Sequence, residues 1–502
     1  MSILTFEFFL LLFCGCVSYY LVPSKIQKYV LLAVSICFFF LSSEQELIWV
    51  WLEIILIVYV GALFLERAKG KVRTLILLIL AGGIIANLIY FKYLYNLVEL
   101  LSALLRFDGN FSVLKLVAPI GISYYSLSAI GYLMDVYWEA YKAERNFTKI
   151  SLFVSYFPVI VSGPVLRYGE MKKEFSERHS LEYENIKYGL LRMVYGYFKK
   201  LLIADQLSMM VASIYGVSGE STSGAIYLVG VIAYAFQLYA DFSGCMDIIM
   251  GASLLFGVRL PENFEAPFFS RNVPEFWRRW HISLGKWFKD YVMYPMLKTN
   301  IIQKMTRNLK GKLGKKYGKM IPTFLVLFIM WMLIGLWHGG TGYYFMASAI
   351  IPCIFLMASE MSATTFDKLK KKLGIQQTSI ALSIFQSMRT LAILCICWVF
   401  VCTGSVSGGL DVLKRIVLDF DIRALMLRPI NTYGIDMIHA LILFVGLCVV
   451  LVIDWFCYKQ VMPQVWLKRI PKPVQYISIW IMVLCIMFFA DFGQSVFIYF
   501  QF

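Results

Sequence analysis

The chain has 502 residues, of which 60% are hydrophobic and 16% are charged, and it carries a formal net charge of +16. Its apolar residues occur in blocks long enough to cross roughly 30 Å of hydrocarbon, and polar segments separate these blocks. A soluble core does not need such blocks, and they are too long and too uniformly apolar to be the alternating strands of a membrane barrel. The composition therefore predicts an all-α polytopic protein of the cell membrane.

The apolar blocks set the expected number of crossings. The first, residues 3–22, lacks a basic start and a small-residue cleavage site, so we expect a spanning helix rather than a cleaved signal peptide. Five further blocks are residues 75–90, 324–336, 380–401, 441–453 and 477–490. At about 20 residues for each crossing, we expect about 11 to 13 crossings in a single membrane domain, residues 1–502.

Positive charge is concentrated in six connectors, residues 67–73, 142–149, 172–187, 298–319, 368–372 and 459–472. Because basic loops stay in the cytoplasm, this pattern places the amino terminus outside, together with residues 42–46 and 216–224. Four cations would then lie outside against this rule: Lys414, Arg415, Arg423 and Arg428. The charge thus indicates topology, and we predict membrane lipids rather than nucleic acid as its partner.

The connector 298–319 contains eight lysines or arginines and no acid. Anionic lipid headgroups would hold it at the cytoplasmic surface. The same surface could receive an acidic carrier protein or the phosphates of a nucleotide-like thioester. We therefore expect a basic cytoplasmic insert that acts as an anchor or as a docking site.

His338 is the most unusual polar residue, because it ends the apolar run 328–337 and is followed by Gly339 and Gly340. An ionisable side chain at such a depth indicates function, and imidazole is suited to proton abstraction near neutral pH. A structural histidine bonded to a neighbouring helix is the alternative. The eleven cysteines lie mostly in apolar blocks without zinc-ligand context, and we predict no metal site.

His281 lies in a second unusual segment, residues 276–291, which is rich in tryptophan and basic residues. Composition alone favours an interfacial helix there. Asp241 and Ser243 interrupt another apolar run, in the segment that begins at Gln237.

Several motifs resemble the membrane-bound O-acyltransferase (MBOAT) family. The family has an intramembrane histidine in a Leu-Trp-His-Gly context, which occurs here at residues 336–339, and a tryptophan- and arginine-rich segment some sixty residues upstream, matched by residues 276–291. Weaker matches occur at residues 119–123, 162–168 and 237–244, which lie in a signature core of about residues 115–361. A further match at residues 497–502 extends the resemblance over nearly the whole chain. The basic insert 298–319 replaces a short turn of the related proteins.

The resemblance implies a ring of about 11 to 13 tilted transmembrane and re-entrant helices around a thinned central tunnel. Within the family, the chain looks most like the bacterial branch that includes the alginate O-acetylation and teichoic acid D-alanylation proteins. His338 and His281 would be catalytic. Eight residues would line the substrate tunnel or bind the donor: Trp277, Arg278, Arg279, Trp280, Trp337, Gln237, Asp241 and Ser243.

The implied reaction takes an acyl group, most readily acetyl, from a cytoplasmic thioester and passes it across the membrane for O-acylation of an exported polysaccharide or cell-envelope polymer. No cofactor would be bound; the donor would be acetyl-CoA or a phosphopantetheine carrier protein, and an extracytoplasmic acyltransferase or the polysaccharide would be the accepting partner. D-alanyl transfer to teichoic acid and O-acylation of a lipid or protein are the enzymatic alternatives. A transporter or channel would need paired acids along its crossings, for which there are six candidates: Asp135, Asp241, Asp247, Glu360, Asp454 and Asp491.

Overall fold

The structure is a computed structural model that describes residues 1–43, 47–105, 116–216, 222–375, 379–427, 429–460 and 470–490. It is 81% helical, and no strand occurs in these ranges. Nine described helices are long and apolar enough to cross a membrane: Ser24–Ser42, Ile48–Arg67, Gly70–Glu99, Gly224–Leu255, Asn300–Trp337, Gly342–Lys372, Ile380–Thr403, Met437–Tyr458 and Lys472–Phe489. The predicted all-α, multi-pass membrane fold is therefore confirmed.

The described chain divides into two compact units, one formed by Met1–Met193 with Cys245–Pro261 and the other by Val194–Gly244 with Glu262–Phe502. Two of the three boundaries between these units fall inside helices. Our single membrane domain stays a prediction. Six sequence predictions lie partly or wholly outside the described residues: the outer links 42–46 and 216–224, the connector 459–472, Arg428, Asp491 and the closing motif 497–502.

The first unit contains α1 (Phe6–Leu21), α2 (Ser24–Ser42), α3 (Ile48–Arg67), α4 (Gly70–Leu88), α5 (Leu94–Leu105), α6 (Ile122–Tyr137), α7 (Phe147–Ser155), α8 (Phe157–Ile160), α9 (Tyr168–Glu174) and most of α10 (Tyr183–Tyr197). Gly121 precedes α6 with a φ of 73°, and a Cβ at this position would lie 1.6 Å from Ile160 O. Only glycine can occupy such a site, which explains the glycine in the motif 119–123.

The second unit contains α11 (Asp205–Gly216), most of α12 (Gly224–Leu255), α13 (Val273–Arg279), α14 (Ile282–Phe288), α15 (Tyr294–Leu297), α16 (Asn300–Trp337), α17 (Gly342–Phe345), α18 (Ile351–Lys372), α19 (Ile380–Thr403), α20 (Val406–Leu418), α21 (Arg423–Leu427), α22 (Met437–Tyr458) and α23 (Lys472–Phe489). It also contains three π-helical segments, in which one turn is widened: Phe198–Ala204, Lys289–Met293 and Met346–Ile350. Such turns occur frequently at functional sites.

The basic insert folds as the first half of α16. Gly314 leaves the helical conformation (φ 78°, ψ 170°), so α16 consists of two helical arms, residues 300–313 and 315–337. A Cβ at Gly318 would lie 2.3 Å from Lys310 N, which shows that the two arms pack against each other. We call residues 300–319 the basic hairpin. Only the second arm contains the apolar run that leads to His338.

Candidate active site

His338 lies at the carboxyl end of α16. Its backbone N–H donates to Ile334 O at 3.0 Å, and the chain then turns through Gly339 and Gly340, whose φ angles are 143° and 70°. A Cβ at Gly339 would lie 2.9 Å from the Tyr344 ring, so a glycine is required there. The imidazole is half-buried. The helix thus ends at the two glycines that follow the histidine, which leaves the side chain at a helix end.

His281 lies between α13 and α14, and its side chain is 4% exposed. Its backbone adopts the left-handed conformation (φ 46°, ψ 53°), which is uncommon for a residue other than glycine. Its ring meets Phe242 of α12 edge-on at 4.8 Å between centroids. A strained backbone at a buried polar residue is the pattern found at functional sites.

Trp337 connects the two histidines. Its ring centroid lies 5.9 Å from that of His281 and 4.9 Å from that of His338. Burial lowers the pKa of His281 well below its ordinary range, and the charge of His338 lowers it further. His281 is therefore neutral near pH 7 and can accept a proton at one ring nitrogen. The structure brings together two histidines that are 57 positions apart in the chain; their catalytic role stays a prediction.

Asn263 is a buried residue beside His281 that sequence analysis missed. Its Oδ1 lies 3.3 Å from His281 Nδ1 and accepts the N–H and the hydroxyl of Ser283 at 3.0 and 2.9 Å. Its backbone oxygen accepts the N–H of Ile282 at 3.0 Å. Asn263 thus satisfies the first two amide groups of α14, which His281 does not cap with its own side chain. No spacing rule would have connected it to His281.

Two of the three predicted tryptophans belong to a group of packed rings that we call the aromatic wall: Phe276, Trp277, Trp280, Trp331 and Trp398. Trp280 stacks on Phe276 at 5.3 Å and lies 5.7 Å from Trp398 of α19. Trp277 meets Trp331 of α16 at 4.9 Å. Within the described part of the chain, no hydrogen-bond partner reaches either indole nitrogen of this last pair. The wall is apolar, with two N–H donors that a ligand could use.

The two predicted arginines differ in their surroundings. Arg279 forms ion pairs with Glu275 at 3.1 Å and Glu265 at 3.6 Å, and its guanidinium lies over the Tyr458 ring. These contacts give it a structural role in holding α13. Arg278 is exposed. Its predicted part in donor binding stays a prediction.

The three polar residues predicted on α12 are all buried. Asp241 accepts a hydrogen bond from Lys200 Nζ at 2.7 Å, and Ser243 accepts one from Lys199 Nζ at 2.9 Å. Gln237 is 6% exposed, and no described residue donates to its Oε1. The segment 237–243 therefore anchors buried lysines that sequence analysis did not identify.

Lys199 and Lys200 are consecutive residues of the widened turn Phe198–Ala204, and both are almost fully buried. Lys200 also reaches Asp205 at 2.8 Å. Burial alone would lower the pKa of Lys200, but Asp241 and Asp205 raise it above its ordinary value, so the ammonium stays charged at working pH.

Tyr239 extends this network, since its hydroxyl donates to Asp454 of α22 at 2.7 Å and Lys199 lies 5.9 Å from its ring. We define the buried charge cluster by its five ionisable members: Lys199, Lys200, Asp205, Asp241 and Asp454. Two candidate acids of the transporter hypothesis, Asp241 and Asp454, are thus members of this structural network.

The comparisons with known proteins identify the family of this chain. The model of the MBOAT family, the membrane-bound O-acyltransferases, matches residues 139–405, which is more than half of the chain. The chain belongs to the MBOAT family. The matched range contains both histidines, the aromatic wall, the basic hairpin and most of the buried charge cluster.

The relatives of this MBOAT protein are named as O-acetylating or D-alanylating enzymes. The probable alginate O-acetylase of Azotobacter vinelandii is 34% identical over 347 residues, which cover 66% of this chain and 62% of that protein. The peptidoglycan O-acetyltransferase of Helicobacter pylori is 26% identical over a match that covers 88% of this chain and 86% of that protein. The teichoic acid D-alanyltransferase of Bacillus subtilis is 28% identical over a match that covers 45% of this chain and 55% of that protein. The chain thus spans about half to three fifths of the length of the alginate relatives it matches.

Proposed function

We propose that this MBOAT protein takes an acetyl group from a cytoplasmic thioester and passes it across the membrane for O-acetylation of an exported polysaccharide or other cell-envelope polymer. The observation that carries the proposal is the pair of histidines around Trp337 at a helix end in a chain of this family. The names of its relatives, an alginate O-acetylase and a peptidoglycan O-acetyltransferase, support acetyl as the group and a polymer as the acceptor.

In the proposed reaction, His338 is the general base. Its neutral imidazole takes the proton of the acceptor hydroxyl while that oxygen attacks the thioester carbonyl carbon. A C–O bond forms, the C–S bond breaks, and the departing sulfur receives the proton from the imidazolium. His281, being neutral and buried, keeps a positive charge away from His338. The indole N–H groups of Trp277 and Trp331 would line the passage as hydrogen-bond donors for a carbonyl oxygen.

The proposal is tested with purified protein in proteoliposomes. Acetyl-CoA labelled in the acetyl group is supplied on the side that exposes the basic hairpin, and soluble polysaccharide or a short saccharide is supplied on the other. We expect label on the acceptor from the wild-type protein and not from a His338→Ala variant. Labelling only on the donor side would contradict transfer across the membrane.

D-alanyl transfer is the second candidate, because two teichoic acid D-alanyltransferases are among the relatives. In that reaction a carrier protein would present the acyl group on phosphopantetheine. The same vesicles, supplied with a D-alanyl carrier protein instead of acetyl-CoA, separate the two donors. If the acceptor were labelled from the D-alanyl carrier protein and not from acetyl-CoA, the transferred group in the proposal would be D-alanyl instead of acetyl.

The basic hairpin is the proposed donor-side surface. Its lysines at positions 310, 312, 315 and 316 are exposed, and its second arm leads directly to His338. At 1.5 Å for each residue, His338 lies about 25 Å along the helix from Ile321, beyond the middle of the hydrocarbon layer. A cytoplasmic hairpin would therefore put the histidine on the acceptor side. Cysteine labelling at residue 312 from outside intact cells would contradict this orientation.

A further inference from the structure

We propose that Asn263 is a positioning residue that fixes His281 in one tautomer, with the proton on Nδ1 and the lone pair on Nε2. The tautomer is inferred from hydrogen-bond geometry and from the burial of the ring, which keeps it neutral. Its consequence for turnover rests on the proposed function, so the two can fail separately.

The first step identifies the amide oxygen of Asn263. The side-chain atom that faces Ser283 N lies 3.0 Å from it. A backbone N–H only donates, so this atom must be an acceptor, which is the carbonyl oxygen and not the amide nitrogen. The backbone contact thereby removes the ambiguity that usually attaches to asparagine side chains.

The second step assigns the proton on the ring. His281 Nδ1 lies 3.3 Å from the same oxygen, and an amide oxygen only accepts. Nδ1 must therefore be the donor. A neutral imidazole carries one N–H, so the lone pair is on Nε2. The burial that lowers the pKa of His281 keeps the ring in this neutral form.

The third step concerns the backbone. The main-chain oxygen of Asn263 accepts the N–H of Ile282 at 3.0 Å, so asparagine holds the residue that follows His281 as well as its ring. Phe242 and Trp337 restrict the ring from two further directions. These contacts hold His281 in its left-handed conformation, whose strain is offset only where surrounding groups fix the backbone.

The effect of a new negative charge at position 263 on His281 depends on the charged groups that the surrounding elements carry. His338, at the end of α16, lowers the pKa of His281. On α12, Asp241 is bound to Lys200, and on α13, Arg279 is bound to Glu275. A carboxylate at position 263 would lie directly against the Nδ1 proton and would stabilise the imidazolium.

The test is Asn263→Asp, which keeps an acceptor for the amides of α14. An opposite charge at this range raises a pKa by about 1–3 units, so His281 should become protonated at higher pH. An imidazolium at His281 makes the neighbouring His338 a weaker base, so kcat/KM should fall in the pH range where His281 is protonated. In the variant that range reaches higher pH, and we expect the acid-side fall of kcat/KM to occur at higher pH than in wild type.

Asn272→Asp is the matched control. Asn272 caps α13 by accepting the N–H of Glu275 at 2.9 Å, so the variant introduces the same charge at a neighbouring helix end. Its acid limb should stay at the wild-type pH. If both variants moved the limb equally, a general effect of charge would explain the shift and the positioning role would be wrong.

Nitrogen NMR of histidine-labelled protein measures the tautomer without turnover, with His281→Gln used to assign the signal. We expect a protonated Nδ1 and an unprotonated Nε2 in wild type. An Nε2–H tautomer would overturn the inference whatever the enzyme does. In the Asn263→Asp variant, a carboxyl group that stayed protonated would donate to Nδ1 and reverse the tautomer. A folded Asn263→Asp variant with unchanged signals and an unchanged acid limb would therefore also overturn the inference.

Discussion

The buried charge cluster and the basic hairpin carry positive charge in opposite ways. In the cluster, Lys200 is 2% exposed and is held between Asp241 and Asp205 at 2.7 and 2.8 Å. In the hairpin, the lysines at 310, 312, 315 and 316 are exposed, and no acid occurs between residues 298 and 319. Buried charges require partners, because losing one leaves an uncompensated ion, whereas exposed charges interact weakly and are screened by salt.

The two histidines belong with the buried region, since Phe242, next to Asp241, packs on His281. The comparison therefore predicts that substitutions in the buried region strongly lower the reaction rate or the stability. Substitutions in the hairpin should change only how the reaction rate depends on the concentrations of donor and salt.

The largest effect is expected from His338→Ala. Removal of a general base typically lowers the rate by about 10²–10⁴-fold. Because the side chain is half-buried at a helix end, the melting temperature in detergent should stay near that of wild type. His439→Ala is the control, since His439 lies near the start of α22 and interacts with Asp436 at 2.8 Å. Activity of the His338 variant within threefold of wild type would remove His338 from the mechanism.

Lys200→Met tests the cluster. It leaves the carboxylates of Asp241 and Asp205 buried without their cation, which should cost about 3–5 kcal/mol of stability. Lys370→Met is the matched control, because Lys370 forms an exposed pair with Asp367 at 3.3 Å that is worth less than about 1 kcal/mol. The yield of folded protein and the melting temperature measure both. Equal melting temperatures of the two variants would show that the cluster is not structural.

A smaller effect on rate is expected from His281→Ala, which removes the neighbour of His338 rather than the base. We expect a loss near the lower end of the range for acid–base residues, about 10²-fold. Activity must be expressed for the folded fraction, because the ring packs against Phe242 and Trp337 and its loss leaves a cavity. If the folded fraction were fully active, His281 would be a packing residue.

Sequence analysis predicted the helical class and the importance of His338, because both depend on local patterns: long apolar runs and a histidine inside one of them. It also selected His281, but only through the family resemblance and the chemistry of acyl transfer. The two histidines lie on either side of Trp337 although they are 57 positions apart in the chain. Hydropathy patterns carry no information about contacts between such distant positions.

Three features were missed for physical reasons. Lys199 and Lys200 resemble the end of a crossing, and the side chains that bind them, Ser243 and Asp241, lie about 40 positions away on α12. Asn263 acts through a contact with a helix that starts 19 positions later. Gly314 converts what looked like a basic connector into a hairpin, which needs its left-handed φ of 78°.

The smallest effect is expected when Lys310, Lys312, Lys315 and Lys316 are all replaced by serine. These side chains are exposed, so folding should hardly change. Anionic donors such as CoA thioesters or acidic carrier proteins are attracted to a basic surface, and the attraction decreases as the Debye length falls to about 8 Å at physiological salt. At low salt, we expect the KM for the donor to rise by about threefold to tenfold with kcat nearly unchanged, and the difference should disappear at high salt.

A second group of four lysines provides the matched control for this variant. Lys368, Lys370, Lys371 and Lys372 lie at the carboxyl end of α18, in another connector predicted to be cytoplasmic. Their replacement by serine removes the same charge without touching the hairpin, so the KM for the donor should stay within twofold of wild type. A docking role requires that the KM for the donor differs between the two variants. The hairpin is continuous with the helix that ends at His338, whereas the lysines of α18 lie in a separate connector. Equal KM values in both variants and in wild type at low salt, with cysteine labelling showing unchanged orientation, would reduce the hairpin to a topological anchor.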